Sequence, residues 1–116
     1  MKDSAQQFLL TALQYYDEQK WTDAEQACHQ SLQQHPNHPD ALHLLGLLAC
    51  QQGNLEQGIP YYQKALALKP TDVKIFTNLG MALKNQGNFE EAVAIYQQGL
   101  ALDPNYAKIH INLGDA

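Results

Sequence analysis

The stretch LLGLLACQQGNLEQG at residues 44–58 returns as NLGMALKNQGNFEEA at residues 78–92, so that a Leu-Gly pair and a Gly-Asn pair recur after 34 residues. The same period relates Pro36, Pro70 and Pro104. Self-similarity at a fixed period of a few tens of residues is typical of one supersecondary unit copied along an array, in which each copy buries its apolar face against the next. The period therefore predicts a repeat protein.

Each copy is predicted to contain two helices joined by a tight turn. Apolar residues spaced three and four apart lie on both sides of the Gly-Asn pairs at residues 53–54 and 87–88. Glycine can adopt the left-handed conformation that ends a first helix A, and asparagine is a preferred side-chain cap for a second helix B. The segments 69–72 and 103–106 each contain a proline, which cannot continue helix B. We therefore expect antiparallel helix pairs and no strand.

Pro60 contradicts this pattern. It lies inside the helix B predicted after residue 54, where a proline removes a backbone hydrogen bond and crowds the carbonyl group of Glu56, at a cost of about 3 kcal/mol if unrelieved. One interpretation is a tolerated kink on the outward face of the helix, and the other is a functional hinge.

The period and the recurring residues resemble the tetratricopeptide repeat (TPR). With positions numbered 1 to 34, the repeats run over residues 5–38, 39–72 and 73–106, and residues 107–116 begin a fourth repeat without completing it. The resemblance is carried in helix A by Phe8, Ala12 and Tyr15, then Leu42, Gly46 and Ala49, then Phe76, Gly80 and Leu83. It implies an all-α TPR solenoid, in which antiparallel helix pairs form a right-handed superhelical array as a single domain over residues 1–116.

A helical wheel divides each helix A into two faces. Positions 4, 7, 8 and 11 form the predicted core face, and positions 2, 5, 9 and 12 lie roughly opposite, with position 6 at their edge. In TPR proteins, as the resemblance implies, this second face lines a concave groove that receives a partner peptide. The predicted groove residues are Leu9, Leu13, Tyr16, His43, Leu44, Leu47, Lys74, Thr77, Asn78, Met81, Lys84 and Asn112. Alternatively, curvature of the array buries Leu9, Leu13 and Leu47 between neighbouring helices, or the end of the array lacks its natural cover.

The predicted groove is apolar toward the N-terminal repeats and carries lysines toward the C-terminal ones. This pattern favours an extended ligand with apolar residues at one end and acidic residues at the other. Asn78 and Asn112 occupy position 6, where an amide can donate to and accept from a peptide backbone. These residues look like the asparagine ladder in TPR superhelices of O-linked N-acetylglucosamine transferases, and the run 38–46 resembles the opening repeats of their bacterial relatives. Leu10 and Leu44 interrupt the ladder in the first two repeats.

The acidic tail of a chaperone is not the expected ligand. The resemblance implies that a TPR clamp for such tails needs lysine and asparagine at positions 5 and 9 of one repeat and asparagine at position 6 of the next. It also needs lysine and a basic residue at positions 2 and 6 of the third repeat. The residues found at those positions are Leu9, Leu13, Leu44, Lys74 and Asn78, and only Lys74 matches.

The formal net charge of −5, with seven lysines and no arginine, repels phosphate backbones and anionic lipid surfaces. We therefore expect neither a nucleic-acid partner nor a membrane partner. The chain has no apolar stretch near the roughly 18 residues that a membrane helix needs. Residues 1–14 lack the basic and then apolar plan of a signal peptide, so we expect a cytoplasmic location.

The sequence contains no phosphate loop, nucleophile elbow or paired-cysteine motif. His35, His38 and His43 are close in sequence, but nothing supplies a full tetrahedral set of metal ligands. Cys28 fits a buried repeat position, and Cys50 occupies a different one, so a structural disulfide is not expected. We predict no enzymatic activity, no cofactor and no metal.

The predicted function is protein–protein interaction, through an extended peptide or partner segment held in the concave groove. One alternative is a substrate-recruiting segment of a larger glycosyltransferase. Another is a self-assembly module: Ile109 and Leu113 have no following helix B to bury them, so a weak homodimer through the incomplete repeat is expected.

Overall fold

The computed structural model describes residues 4–114, and all regular secondary structure in this range is helical. The helices are α1 Ser4–Asp17, α2 Trp21–Gln34, α3 Pro39–Gln51, α4 Leu55–Leu68, α5 Val73–Gln86, α6 Phe89–Leu102 and α7 Ala107–Leu113. The odd-numbered helices are the predicted helices A, and the even-numbered ones are the predicted helices B. Residues 115–116, which the sequence assigned to the fourth repeat, lie outside the described range.

The helices pack as three hairpins that stack in chain order. Contacts are most extensive within the pairs α1–α2, α3–α4 and α5–α6, and they continue between α2 and α3 and between α4 and α5. Contacts also join α1 to α3, α3 to α5 and α5 to α7, so the A helices share one side of an array that measures 44 × 28 × 21 Å. Within residues 4–114, no helix combines the length and the apolar character that crossing a membrane requires.

A close approach of helices A and B explains the recurring Leu-Gly pairs. Gly46 of α3 lies against the ring of Tyr62 of α4, and a Cβ atom built on Gly46 would be 2.6 Å from the ring carbon Cδ1. Gly80 and Tyr96 repeat this arrangement between α5 and α6, again with 2.6 Å to Cδ1. Favourable contacts between carbon atoms lie near 3.5–4.0 Å, so neither site has room for a side chain. The glycine and the tyrosine recur together in the second and third hairpins because the ring needs the space that glycine leaves, whereas the first hairpin has Ala12 and Cys28 at these positions.

The hairpin turns depend on glycine, as predicted. Gly53 and Gly87 have φ angles of +83° and +94°, in the left-handed region. Asn54 and Asn88 occupy the N-cap positions that follow, but neither side chain makes a capping hydrogen bond. Instead, Asn88 Nδ2 donates to Gln86 Oε1 over 2.7 Å. The predicted asparagine side-chain cap is therefore wrong.

The starts of two A helices do have side-chain caps. His38 Nδ1 accepts a hydrogen bond from the amide of Ala41 over 3.4 Å at the start of α3. Asp72 Oδ1 accepts one from the amide of Lys74 over 3.0 Å at the start of α5. Each of these contacts satisfies a backbone amide in the first turn of its helix, whereas α7, after the third proline-containing segment, has no side-chain cap.

Helix α4 continues through Pro60, whose side chain is exposed. The proline therefore lies on the outward face, as the first of the two interpretations requires. Gly58, one turn from the start of the same helix, is buried, and a Cβ atom built on it would meet Cys50 Sγ and the carbonyl oxygen of Gly46.

The buried core extends into α7. Ile109 is fully buried, because Gly99 of α6 leaves room for its Cδ1 atom. The expectation that Ile109 lacks cover is therefore wrong, whereas Leu113 is only partly buried. Cys28 is fully buried as predicted, and burial raises the pKa of its thiol to about 12.

Candidate partner-binding groove

Three of the predicted groove residues are buried between helices. Leu9, Leu44 and Thr77 have exposed fractions of 3%, 3% and 2%. Leu9 and Leu44 belong to one buried apolar cluster, and the hydroxyl of Thr77 donates to the carbonyl oxygen of Val73 over 2.8 Å. The assignment of these three residues to an open groove is wrong.

These residues are buried because neighbouring A helices contact each other along a line that we call the seam. Position 6 of one repeat contacts position 5 of the repeat before it, as the 2.7 Å contact between Asn78 and His43 demonstrates. Ile111 also occupies position 5, and with no A helix after it in the described range it is 70% exposed. A helical wheel treats one helix alone and therefore misses the seam. Burial by curvature, the alternative given above, applies to Leu9, whereas Leu13 remains 41% exposed.

The other predicted residues keep side chains that are exposed or partly exposed. We call their surface the concave face. Its residues are Leu13, Tyr16, His43, Leu47, Lys74, Asn78, Met81, Lys84 and Asn112. The largest apolar contributions to it come from Leu13 and Met81, with exposed fractions of 41% and 40%. The concave face thus combines apolar side chains with amides and lysines.

A cleft of about 170 Å³ lies on the concave face between α3 and α5. Its walls bring together three predicted residues, Leu47, Asn78 and Met81. They also include Gln51 and Asn85, which are not among the predicted groove residues. Gln51 and Asn85 both occupy position 13, which follows groove position 12. The recurrence of an amide side chain at this position is a sequence signal that could have identified both residues. We call this space the α3–α5 cleft.

His43 forms part of the seam beside this cleft. Its Nε2 atom lies 2.7 Å from Asn78 Nδ2, and its ring meets the ring of Tyr62 edge-on with 5.7 Å between centroids. Burial lowers the pKa of His43, and the carboxylates of Asp72 and Asp40 oppose that effect only in part. A neutral imidazole can accept at one nitrogen, which matches the amide donor of Asn78.

Cys50 lines the cleft. Burial raises the pKa of the Cys50 thiol, and the neighbouring Tyr62 hydroxyl opposes that effect only in part. Because the thiolate is the nucleophilic form, the environment of Cys50 does not activate it. Across residues 4–114, no group of three or more histidine, cysteine, aspartate or glutamate side chains is placed to hold a metal ion.

A second cavity, of about 280 Å³, lies beyond the α3–α5 cleft and is lined by residues of α5, α6 and α7. Lys84 Nζ donates to the backbone oxygen of Asn112 over 3.1 Å and so connects α5 to α7. Phe89 and Ile111 line the same cavity and are 62% and 70% exposed. The structure therefore brings Lys84 and Asn112 together at the C-terminal end of the concave face, apart from the α3–α5 cleft.

Comparison with protein-family models gives a consistent assignment. A model described as "Tetratricopeptide repeat" matches residues 9–73, more than half of the 116 residues. The chain belongs to the tetratricopeptide-repeat family. A second model with the same description matches residues 61–94 of this TPR protein, and a model described as "TPR repeat" matches residues 80–116. Comparison with curated proteins gave no match.

Solved structures share the TPR fold. A mutant of Thermobaculum terrenum O-GlcNAc transferase has a TM-score of 0.91 and 30% identity, over 97% of this chain and 22% of that chain. MamA has a TM-score of 0.83 and 23% identity, over 91% of this chain and 62% of that chain. The first TPR of Spaghetti (RPAP3), bound to the HSP90 peptide SRMEEVD, has a TM-score of 0.91 and 19% identity, over 95% of this chain and 87% of that chain. The chain thus spans less than two thirds of the MamA structure and about a fifth of the transferase.

Proposed function

We propose that this TPR protein binds an extended segment of a partner protein along its concave face. The observation that carries the proposal is the α3–α5 cleft, in which Leu47 and Met81 supply apolar walls and Asn78 and Asn85 supply amide groups. Apolar contacts contribute affinity, and a few polar groups fix the register of a ligand, so this lining suits a peptide. TPR domains are protein–protein interaction modules, which supports the proposal at the level of the family.

The composition of the concave face indicates the chemistry of the ligand. Leu13, Leu47 and Met81 favour apolar ligand residues over the first three A helices. Lys74 and Lys84 are exposed on α5, in a chain whose net charge is −5, and they favour acidic ligand residues at that end. Because Leu9 and Leu44 are buried, the apolar part of the groove is smaller than predicted. The proposed ligand still has its apolar residues toward the N-terminal repeats.

The HSP90 peptide that is bound to the RPAP3 domain supports peptide binding by this fold but not the same ligand for this chain. That peptide, SRMEEVD, is rich in acidic residues. The resemblance requires lysine or asparagine at the clamp positions that Leu9 and Leu44 occupy here, and both leucines are buried. We therefore propose a ligand with more apolar residues than a chaperone tail.

Peptides selected from a random linear library provide the test, with affinities measured by fluorescence anisotropy. Met81→Ser removes an exposed apolar contact and should weaken binding about tenfold. Lys84→Ala should cost under about 1 kcal/mol and act mainly through salt-dependent attraction. Gln97→Ala, at an exposed position of α6, is the control. Equal weakening by Gln97→Ala and Met81→Ser would place the ligand elsewhere and contradict the proposal.

A second candidate function is substrate recruitment for a glycosyltransferase. The 30% identity with the Thermobaculum terrenum enzyme over 97% of this chain favours it. The test is whether the parent gene also encodes a glycosyltransferase domain, and whether deleting the TPR segment lowers glycosylation of protein substrates more than that of a short acceptor peptide. Equal effects on both acceptors would argue against recruitment.

A third candidate is homodimer formation through the C-terminal end, where Phe89 and Ile111 are exposed beside the 280 Å³ cavity.

A cytoplasmic location and the lack of nucleic-acid and membrane partners stay predictions from charge and composition. Cell fractionation with an antibody against the chain tests the location.

A further inference from the structure

Asn78 lines the α3–α5 cleft and is also hydrogen-bonded to His43 on the adjacent helix. We propose that His43 is a positioning residue that sets which end of the Asn78 side-chain amide faces the cleft. The cleft then offers a hydrogen-bond acceptor when His43 is neutral and a donor when His43 is protonated. The consequence for a ligand rests on the proposed function of the concave face, but the orientation of the amide does not.

The geometry defines the neutral state. Asn78 Nδ2 lies 2.7 Å from His43 Nε2. An amide nitrogen can only donate, so Nε2 is the acceptor and the proton of the neutral ring is on Nδ1. The oxygen and nitrogen of a planar amide diverge from Cγ. With Nδ2 directed at His43, Oδ1 is directed away from that ring, and it is the end of the amide that remains for the α3–α5 cleft, which Asn78 lines.

Protonation of His43 reverses this arrangement. Both ring nitrogens of an imidazolium are donors, so Nε2–H and the Asn78 amide would face each other as two donors. A half-turn of the Asn78 amide about χ2, which is a soft torsion, restores a hydrogen bond with Oδ1 as acceptor. Nδ2 is then directed toward the cleft.

The surroundings of His43 are compatible with such a change. The charged and titratable groups that face it are Asp40 on α3, Tyr62 on α4, Lys69 and Asp72 in the segment between α4 and α5, and Lys74 on α5. Lys69 Nζ lies 3.0 Å from a carboxylate oxygen of Asp40 and 3.7 Å from one of Asp72, so these charges partly cancel. Burial keeps the pKa of His43 below its usual value. The acceptor form therefore prevails at neutral pH, and the donor form appears in acid.

A ligand that donates to Asn78 from a backbone or side-chain N–H group should bind about tenfold more weakly once His43 is protonated. A ligand that accepts from Asn78 should show the opposite trend. His43 thus gives the cleft a pH-dependent preference that the surrounding apolar side chains cannot provide.

Nuclear magnetic resonance of the 15N-labelled chain tests the proposal without any ligand. At neutral pH, a through-hydrogen-bond coupling should connect Asn78 Nδ2 and His43 Nε2. This coupling should vanish in acid, and the side-chain NH2 signals of Asn78 should shift with the same midpoint as the His43 ring. The NH2 signals of Asn85, which lines the same cleft, are the internal control and should not share that midpoint.

His43→Gln keeps an amide oxygen as a possible acceptor but removes the titration. In this variant, the Asn78 signals should stay constant over the pH range in which they move in the wild type. Absence of the coupling at neutral pH, or Asn78 signals that do not move while His43 titrates, would overturn the proposal even if the variant failed to fold. Because no peptide is involved, that failure is distinct from a failure of peptide binding.

Discussion

Gly46 is a residue at which one added methyl group has almost no room, since its Cβ would lie 2.6 Å from two carbons of the Tyr62 ring. Alanine favours a helix over glycine by about 1 kcal/mol, whereas overpacking costs about 1–3 kcal/mol. We expect the second effect to prevail, so Gly46→Ala should lower the free energy of unfolding by about 1–2 kcal/mol in urea titrations. Gln51→Ala, at an exposed position of the same helix, should change it by under about 0.5 kcal/mol. A Gly46→Ala protein as stable as the wild type would mean that the Tyr62 ring moves aside.

His43 should make stability depend on pH. Burial lowers its pKa in the folded protein, and the unfolded chain has the usual value of about 6.5. The unfolded state therefore takes up the proton first as the pH falls. The stabilising contribution is fully present above about pH 6.5 and is lost as the pH falls through the lower folded pKa.

Urea titrations near about pH 7.5 and about pH 5 measure this effect. The stability difference between the two conditions should be smaller in His43→Gln than in the wild type, because the variant lacks the titrating ring. His29→Gln, at an exposed position of α2, is the matched control and should keep the wild-type difference. Equal differences in all three proteins would contradict the assignment to His43.

The exposure of a residue on the concave face was predictable where its own helix determines it. Leu13 and Met81 project from their own helices and remain accessible, as a helical wheel predicts. Leu44 and Thr77 are buried by a neighbouring A helix, and their spacing within one helix carries no information about that neighbour. The pairing of Asn78 with His43 was missed for the same reason.

At the scale of helices, α4 offers a test through Pro60. The proline has no N–H group to donate the hydrogen bond that the carbonyl of Glu56 would accept in a regular helix. Its exposed side chain contributes little packing. Pro60→Ala should raise the free energy of unfolding by about 1–3 kcal/mol, less any gain that proline provides by restricting the unfolded chain. Hydrogen exchange in the wild type should show lower protection at residues 58–62 than at the matching residues 92–96 of α6. Equal protection would indicate that α4 already accommodates the proline, as would an unchanged stability.

Helix boundaries were predictable because glycine and proline impose their own backbone conformations. Gly53 and Gly87 adopt positive φ angles that disfavour other residues, so the sequence marks both turns. The first hairpin lacks this signal, and Gln19 takes a positive φ of 61° in its turn. Side-chain caps were less predictable, since the Asn88 amide bonds to the side chain of Gln86 and not to a backbone amide of α6.

For the whole molecule, the 34-residue period was sufficient to predict the stacked hairpins, and the second and third copies repeat the glycine and tyrosine that bring two helices together. The α3–α5 cleft was only partly predictable. Leu47, Asn78 and Met81 follow from helical faces, whereas Gln51 and Asn85 line the cleft because of how two neighbouring repeats are placed. Ile109 is buried against Gly99 of the preceding hairpin, and this contact cannot be predicted from the sequence of α7 alone.

The surface at the C-terminal end determines whether whole molecules associate. Phe89 and Ile111 are 62% and 70% exposed beside the 280 Å³ cavity, and burying such side chains is favourable by about 1.5–3 kcal/mol each. We expect weak, concentration-dependent dimers in sedimentation equilibrium. Ile111→Ser should weaken dimerisation by about tenfold or more, because a symmetric interface loses the side chain twice. Leu68→Ser, a 40% exposed position on α4, is the matched control and should leave dimerisation unchanged. A chain that stays monomeric at about millimolar concentration, or an equal effect of both substitutions, would show that this end does not mediate self-association.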